Sequence, residues 1–271
     1  AAQKIRDSRA KIVMLTGPSA SGKTTSAHKV AEALEASGTP AHVISLDNFF
    51  KGAQYYPRLP DGTLDYENPD TLDMSLIRQC LSDLSTTGKT VLPIYDFTAE
   101  SRSSETETLD LKGGVCIVEG IHALNDVIVG KNPKAFKLYI AARSNVVDED
   151  GAVVFQHPWL RLCRRIVRDY KFRGSDANFT LKMWPNVRRG EKLYISPYKE
   201  NADLMFDSSL PDEVAVLKPF VVPLLEALPQ GKYEIADDIL RGFERIEIME
   251  ESNIAPSSLV REFIGGSIYP S

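Results

Sequence analysis

The sequence has few of the residues that build disulfide frameworks or metal clusters. Its 271 residues include 3 cysteines and 4 histidines. Cys80, Cys116 and Cys163 lie far apart along the chain, so they match neither a metal-ligand spacing nor a disulfide framework, and we interpret them as unrelated thiols. A chain without paired cysteines is typical of a reducing compartment, and the sequence therefore predicts a cytoplasmic protein.

Long apolar runs and an excess of positive charge are absent as well. No stretch approaches the roughly 20 apolar residues that a membrane helix needs. Residues 1–10 are polar and charged, unlike the apolar core of a signal peptide, so we expect none here. The first residue is alanine and not methionine, which indicates that the start of the sequence was trimmed. The chain has 32 lysines and arginines against 37 aspartates and glutamates, and this net charge of −5 argues against a general nucleic-acid or anionic-membrane surface.

The remaining composition is that of an ordinary soluble globular protein. With 43% hydrophobic and 25% charged residues the chain can bury a core, and its length allows one large α/β domain or two small ones. Residues 51–69 have no clear period and predict a surface excursion, which is either a flap on the substrate side or an ordinary long loop. The polar residues 143–158 predict a solvated loop. Residues 217–228 and 233–243 predict helices that are broken by nearby prolines.

One strong motif lies near the start of the chain. Residues 17–24, Gly-Pro-Ser-Ala-Ser-Gly-Lys-Thr, match the phosphate-binding pattern GxxxxGK[ST] at every fixed position. An apolar run of strand length precedes them at 11–16, and 25–37 has apolar residues at helical spacing. Strand, glycine loop and helix in this order predict backbone N–H groups that hold the phosphates of a nucleoside triphosphate. The predicted phosphate-binding residues are Gly17, Ser19, Ala20, Ser21, Gly22, Lys23, Thr24 and Thr25, with Lys23 on the outer phosphates and the Thr24 hydroxyl on Mg²⁺.

Two carboxylates come directly after predicted strands. Residues 41–46 predict a strand that ends in Asp47, and the buried-strand pattern 115–118 ends in Glu119. In a sheet of this type the carboxyl ends of the strands border the ligand-binding crevice. Asp47 has two candidate roles, which are to accept the proton of an attacking hydroxyl or to order water on Mg²⁺; a helix cap is the structural alternative. Glu119 is predicted to reach Mg²⁺ through water.

An aromatic segment follows at residues 90–97. If this segment is extended, Tyr95 and Phe97 lie on the same side and can support a planar ring. Two ordinary core aromatics are the alternative interpretation.

A basic helix is predicted at residues 159–174. On a helix Arg161, Arg165 and Arg168 share one side, and a row of guanidinium groups in a chain of net negative charge favours phosphate stabilisation during transfer. A solvated basic face is the alternative. Near the end of the chain, the apolar and glycine-bearing stretch 259–267 is predicted to pack back against the protein.

Five motifs in this order resemble the uridine kinase and phosphoribulokinase family of phosphate-loop kinases. Two further stretches, 183–191 and 259–267, resemble a bacterial uridine-kinase-like branch, in which the kinase part often follows a domain like the N-terminal part of threonyl-tRNA synthetase; the sequence contains no such domain. The five motifs are residues 17–24, 45–50, 93–97, 118–121 and 164–169, and the resemblance spans residues 11–207.

The resemblance implies the three-layer P-loop NTPase fold, an α/β architecture with a parallel five-stranded sheet flanked by helices. A kinase domain would cover residues 1–212, with an arginine-rich lid at about 143–200, and a helical C-terminal extension, 213–271, would pack on the same domain. It also implies ATP and Mg²⁺, and transfer of the γ-phosphoryl group to a hydroxyl of a nucleoside of the uridine or cytidine type. Two alternatives stay open: a phosphosugar or other metabolite as acceptor, or an ATP-binding regulatory or RNA-associated module without a small acceptor. A homo-oligomer is also left open.

At matching positions, the resemblance makes Asp47 the general base and a neighbour of the metal, and Glu119 the Mg²⁺-associated acid. Four positions depart from the uridine kinase pattern: Glu100 stands for a histidine that reads the base edge, Met183 for a glutamine, Phe50 for a tyrosine and Ser175 for a lid arginine. A glutamate accepts hydrogen bonds where a histidine can also donate, so the base edge is read differently. The predicted catalytic residues are Asp47, Lys23, Arg165 and Arg168, and the predicted substrate residues are Asp47, Phe50, Tyr95, Phe97, Glu100, Arg165, Arg168 and Arg173.

Overall fold

A five-stranded parallel sheet lies at the centre of the fold, in the strand order β2-β5-β1-β6-β9. The structure is a computed structural model that describes residues 1–96, 99–130 and 134–270. The strands are β1 (Ile12–Thr16), β2 (Ala41–Ser45), β3 (Lys89–Asp96), β4 (Ser101–Asp110), β5 (Val115–Glu119), β6 (Phe136–Ala141), β7 (Val146–Val147), β8 (Val153–Phe155) and β9 (Leu204–Asp207). The helices are α1 (Ala2–Ser8), α2 (Lys23–Glu35), α3 (Met74–Thr86), α4 (Asp126–Val129), α5 (His157–Phe172), α6 (Ala177–Gly190), α7 (Glu213–Glu226), α8 (Glu234–Glu244) and α9 (Arg261–Ile264).

The central strands are buried along their whole length. Every residue of β1 and of β5 is buried, which agrees with their nearly continuous apolar sequences and with the coverage that parallel sheets have on both faces. In the register, Leu15 lies opposite Glu119, and Ser45 lies opposite Glu119 on the other side. The predicted α/β fold with a parallel five-stranded sheet is therefore confirmed. The carboxyl ends of β2 and β5 lie side by side at the same end of the sheet.

The chain divides into two compact units. The first comprises Ala1–Pro18, Ser26–Tyr139 and Asn186–Met205. Its core packs residues of the central strands against α3 and against an antiparallel hairpin of β3 and β4, and includes Met14, Leu46, Phe49, Leu81 and Val118. The hairpin was only half predicted, because the second strand is polar and mostly exposed and gives no apolar period. Residues 51–69 are not simply a surface excursion, since Tyr56, Leu59 and Asp65 are at most 9% exposed.

The second unit comprises Ser19–Thr25, Ile140–Pro185 and Phe206–Ser271. It contains α5, α7, α8 and α9, and Phe155 and Phe243 pack within it with ring centroids 4.9 Å apart. The predicted loop at 143–158 is wrong in part, because β7 and β8 form a short antiparallel pair there. Two short strands of mostly valine joined by a polar turn have too little period for sequence analysis to find.

Helix α7 continues through Pro219 and Pro223, contrary to the prediction that prolines break it. Proline removes the bond to the carbonyl four residues earlier, which for Pro219 is the carbonyl of Ala215. That oxygen accepts a hydrogen bond from the Met249 N–H at 3.2 Å instead. A donor that is 34 residues distant in sequence (249 − 215) thus satisfies the freed carbonyl, and the helix persists.

Helices long and apolar enough to span a lipid bilayer do not occur in the described part of the chain.

Candidate functional site

The glycine loop after β1 has a backbone suited to holding anions. Ala20 and Gly22 lie in the left-handed region, at φ 59° and 79°, and α2 begins at Lys23. Left-handed residues that alternate with residues of ordinary conformation turn successive N–H groups to one side of the chain. The positive end of α2 also attracts an anion at this place. Ser21 is 0% exposed, and its hydroxyl oxygen has no hydrogen-bond partner within the described protein. The loop therefore presents N–H and O–H donors of the type that phosphate oxygens accept.

Arginines of α5 hold the first half of this loop. Arg161 Nε donates to the Ser19 carbonyl at 3.1 Å, and Arg165 Nη1 donates to the Ser19 hydroxyl at 2.8 Å. Arg164 Nη1 donates to the Ala20 carbonyl at 3.1 Å. A left-handed alanine costs about 1 kcal/mol or more relative to a right-handed one, so Ala20 needs contacts of this kind to keep its conformation.

Arg164 is the arginine that sequence analysis missed. Its side chain is 0% exposed and forms an ion pair with Glu213, which is also 0% exposed; the Nη2–Oε2 distance is 2.7 Å. Arg164 Nη2 also donates to the Ser208 carbonyl at 2.8 Å. A signal was present, because Arg164 shares the buried stripe of α5 with Leu160 and Val167. The guanidinium is a structural connection between α5, α7 and the glycine loop, and it is not exposed to a ligand.

The other predicted arginines meet a carboxylate of their own helix. Asp169 lies 3.2 Å from Arg165 Nε and 3.1 Å from Arg168 Nη2. Arg173 is 3.9 Å from the same carboxylate, and 54% of its side chain is exposed. Arg165 thus contacts both the loop and Asp169, whereas Arg168 and Arg173 are gathered around Asp169 in this structure.

The C-terminal segment packs on the second half of the loop. Leu259 and Phe263 form an apolar cluster with Ala20, and Val260 and Ile264 beside them are buried, so the predicted packing of this stretch is observed. A Cβ atom added to Gly22 would lie 2.5 Å from Leu259, so a side chain at this position would collide with the segment. Glu262 accepts a hydrogen bond from the Thr25 N–H at 3.1 Å.

In the first unit, Asp47 and Glu119 lie at the carboxyl ends of neighbouring strands, Asp47 shortly after β2 and Glu119 as the last residue of β5. Asp47 lies in a 3₁₀ turn (Leu46–Phe49), and its N–H donates to the Ser45 hydroxyl at 3.3 Å. Glu119 is 5% exposed at the end of β5. A Cβ atom on Gly120 would lie 2.7 Å from Leu46 Cβ, so glycine is needed for the close approach of the two strand ends. Both carboxylates thus lie at the edge of the sheet where the sequence predicted them.

An aromatic cluster adjoins Asp47. The ring of Phe50 lies 5.5 Å from that of Tyr95 and 5.9 Å from that of Tyr56, and the Tyr56 and Tyr95 hydroxyls are 3.4 Å apart. Tyr66 contacts Tyr56 at 5.6 Å. We call Phe50, Tyr56, Tyr66 and Tyr95 the aromatic cluster. Tyr56 and Tyr66 were not predicted, because the irregular segment that carries them has no period from which burial can be inferred.

Two carboxylates influence this cluster. Burial raises the pKa of Tyr56 above its ordinary value, and the Tyr95 hydroxyl and the charge of Asp47 act in the same direction. Burial also raises the pKa of Tyr66, with a further contribution from the charge of Glu100. Four predicted substrate residues, Asp47, Phe50, Tyr95 and Glu100, therefore belong to one neighbourhood, and Phe97 lies outside the described residues.

The donor sets fit a nucleoside triphosphate and Mg²⁺. The loop offers N–H donors, the Lys23 ammonium group and the buried Ser21 hydroxyl, which suit phosphate oxygens. In the first unit Asp47 and Glu119 offer carboxylate oxygens, and in the second unit Thr24 offers a hydroxyl oxygen. Oxygen ligands are the type that Mg²⁺ prefers. A group of three or more histidine, cysteine, aspartate or glutamate side chains able to hold a metal does not occur among the described residues.

Comparison with known proteins gives consistent matches. A model of the phosphoribulokinase / uridine kinase family matches residues 12–215. A uridine kinase of Macrococcus caseolyticus is 32% identical over 211 residues, covering 77% of this chain and 93% of that protein. A uridine kinase of Staphylococcus haemolyticus is 30% identical over 206 residues, covering 76% of this chain and 91% of the other. Among solved structures, a phosphoribulokinase from Rhodobacter spheroides aligns with a TM-score of 0.51 at 15% identity, covering 73% of this chain and 70% of that one, which shows a shared fold.

Proposed function

The chain belongs to the phosphoribulokinase and uridine kinase family and is an ATP-dependent kinase, and we propose that it phosphorylates a hydroxyl of a nucleoside. The observation that carries the proposal is the position of Asp47 beside the aromatic cluster. A carboxylate can accept the proton of an attacking hydroxyl, and aromatic rings suit the planar base of a nucleoside. The two uridine kinases that match over more than 90% of their own length support the same class of acceptor.

On the donor side, the glycine loop would hold the ATP phosphates through its N–H groups and Lys23. Thr24, Glu119 and Asp47 would hold Mg²⁺, which supplies charge neutralisation at the transferred phosphoryl group. Phosphoryl transfer needs mainly positioning and charge stabilisation from the protein. Arg165 contacts the loop through Ser19 and is the arginine best placed to contribute positive charge there. Arg168 would have to leave Asp169 to do the same.

On the acceptor side, Glu100 would determine which base edge is favoured. An ionised glutamate only accepts hydrogen bonds, so it favours a base that presents N–H donors, as the exocyclic amine of a cytosine-type base does. A base with a carbonyl at the same position would meet a like partial charge. We therefore propose a preference for amino-bearing nucleosides over their carbonyl counterparts.

The test measures ADP release from Mg-ATP with a panel of acceptors: cytidine- and uridine-type nucleosides, purine nucleosides and phosphosugars. We expect nucleosides to stimulate ADP release, and Asp47→Asn to lower turnover by ~10²-fold or more while ATP still binds. Asp70→Asn is the matched control, because Asp70 is an exposed aspartate of the same unit. Normal turnover in Asp47→Asn would remove Asp47 from the role of base. Stimulation by phosphosugars alone would change the acceptor class, and no stimulation by any acceptor would favour a regulatory ATP-binding module.

A further inference from the structure

A carboxylate of the protein itself is bound to the glycine loop. Glu262 Oε2 accepts a hydrogen bond from the Thr25 N–H at 3.1 Å, although the two residues are 237 positions apart. Thr25 is the third residue of α2 and is 1% exposed. The contact therefore joins the C-terminal segment to the first turn of the helix that follows the loop.

The Thr25 N–H is a donor that a bound phosphate would use. The first N–H groups of a helix have no partner within the helix, so they can donate to an external anion, which the positive helix end also attracts. In a loop of this sequence pattern, those N–H groups surround the phosphates. A carboxylate and a phosphate are both anions and each needs the same donor, so they cannot both bind it fully.

The backbone that carries Glu262 is fixed, but its side chain is not enclosed. Phe263 is 0% exposed and lies 5.1 Å from the guanidinium of Arg164, and the Ile264 carbonyl accepts a hydrogen bond from Lys171 Nζ at 2.6 Å. Glu262, between these anchors, is only partly buried. Its carboxylate can therefore turn into solvent by side-chain rotation while the segment remains packed.

We infer that the Glu262 carboxylate competes with the phosphates of the bound ligand for the Thr25 N–H. The ligand must displace this carboxylate in order to bind, and Glu262 thereby sets the affinity of the loop for phosphates. The inference rests on the proposed function only where it identifies this ligand as ATP. The competition itself concerns any ligand whose phosphates occupy the loop. A role as a helix cap alone has the opposite consequence. Loss of a cap loosens the first turn of α2 and weakens phosphate binding, whereas loss of a competitor strengthens it.

The experiment measures the binding of inorganic tripolyphosphate and of Mg-ATP to the full chain by calorimetry. The variants are Glu262→Gln, which keeps the shape but removes the charge, and Glu262→Ala. Glu250→Gln is the control, because Glu250 is an exposed glutamate of the same C-terminal region and its replacement changes the net charge equally. Thermal unfolding of each variant establishes that it is folded.

We expect Glu262→Gln to bind tripolyphosphate about tenfold more tightly than the wild type, because a charge-assisted hydrogen bond is roughly twice as strong as a neutral one. Glu262→Ala should bind at least as tightly, Glu250→Gln should bind like the wild type, and the gain should shrink at high salt. Equal or weaker binding by folded Glu262→Gln would overturn the inference and assign Glu262 to loop support.

Two outcomes separate this inference from the proposed function. If tripolyphosphate binds more tightly to the variant but no acceptor stimulates ADP release, the competition stands and the kinase proposal fails. If nucleosides are phosphorylated but the variant and the wild type bind tripolyphosphate equally, the kinase proposal stands and the competition is refuted.

Discussion

Glu213→Gln is the most informative perturbation of the fold around the loop. Glu213 and Arg164 are both 0% exposed, and Arg164 has further bonds to the carbonyls of Ala20 and Ser208. The substitution keeps the volume of the side chain but leaves a buried guanidinium without its counter-charge. Removing one partner of a buried ion pair costs about 3–5 kcal/mol, because the remaining charge has no solvent to stabilise it.

The expected loss of stability is large enough to measure directly. At roughly 2–4 °C per kcal/mol for a chain of this size, the melting temperature should fall by about 6–20 °C. Thermal unfolding followed by circular dichroism measures this shift. Glu226→Gln is the matched control, because Glu226 is an exposed glutamate at the end of the same helix, α7, and its replacement should change stability by less than about 0.5 kcal/mol.

A double variant separates stability from loop geometry. Arg164→Met with Glu213→Leu replaces the pair by apolar side chains of similar volume, which is often neutral or stabilising by about 1–4 kcal/mol. The melting temperature should therefore recover, but tripolyphosphate should bind more weakly than to the wild type, because the Ala20 carbonyl has lost its donor. A melting temperature of Glu213→Gln within about 2 °C of the wild type, or wild-type phosphate binding by the double variant, would refute this reasoning.

Two further predictions concern pH and packing. Burial opposes ionisation of Asp207, but hydrogen bonds from Ser144 and Ser209 lower its pKa from 3.8 to about 2. The ionised carboxylate therefore contributes fully to folding stability above pH 3.8, and this contribution is lost as the pH falls through about 2. Between about pH 5 and about pH 2 the free energy of unfolding should fall by about 1–2 kcal/mol more in the wild type than in Asp207→Asn, a value reduced for solvent screening. Urea titrations at the two pH values measure this difference, and equal losses would contradict the lowered pKa of Asp207. Gly120→Ala should lower the free energy of unfolding by about 1–3 kcal/mol, since its Cβ would lie 2.7 Å from Leu46, and an unchanged urea midpoint would argue against that close approach.

The sequence predicted the parts of the site that depend on local pattern. The fixed residues of the loop, a strand before it and a helix after it were sufficient to predict β1, the glycine loop and α2. Asp47 and Glu119 were placed correctly because a buried strand is an apolar run, and the residue after that run lies at the carboxyl edge of the sheet. The same rule failed for the polar strand β4, which pairs with β3 without an apolar period.

The functions of the arginines on α5 could not be assigned from spacing alone. Periodicity gave the helix and grouped Arg161, Arg165 and Arg168 on one side. It did not show that Arg168 forms an ion pair with Asp169, or that Arg164 is the fully buried arginine of this helix. Which arginine meets the loop depends on the packing of α5 within its unit, and no local pattern encodes that choice.

By itself the sequence determined the anion-binding loop and the two carboxylates at the strand ends, because the backbone conformation and the burial pattern of short segments fix these features. The parallel sheet pairs strands that are far apart in sequence, and only the family resemblance implied it. Only the tertiary structure decided the partners of that loop. Glu213 lies 49 residues from Arg164, and Glu262 lies 237 residues from Thr25. Contacts at such separations are selected when whole elements pack and bury their polar groups together, so they follow from the fold as a whole and not from any stretch of residues within it.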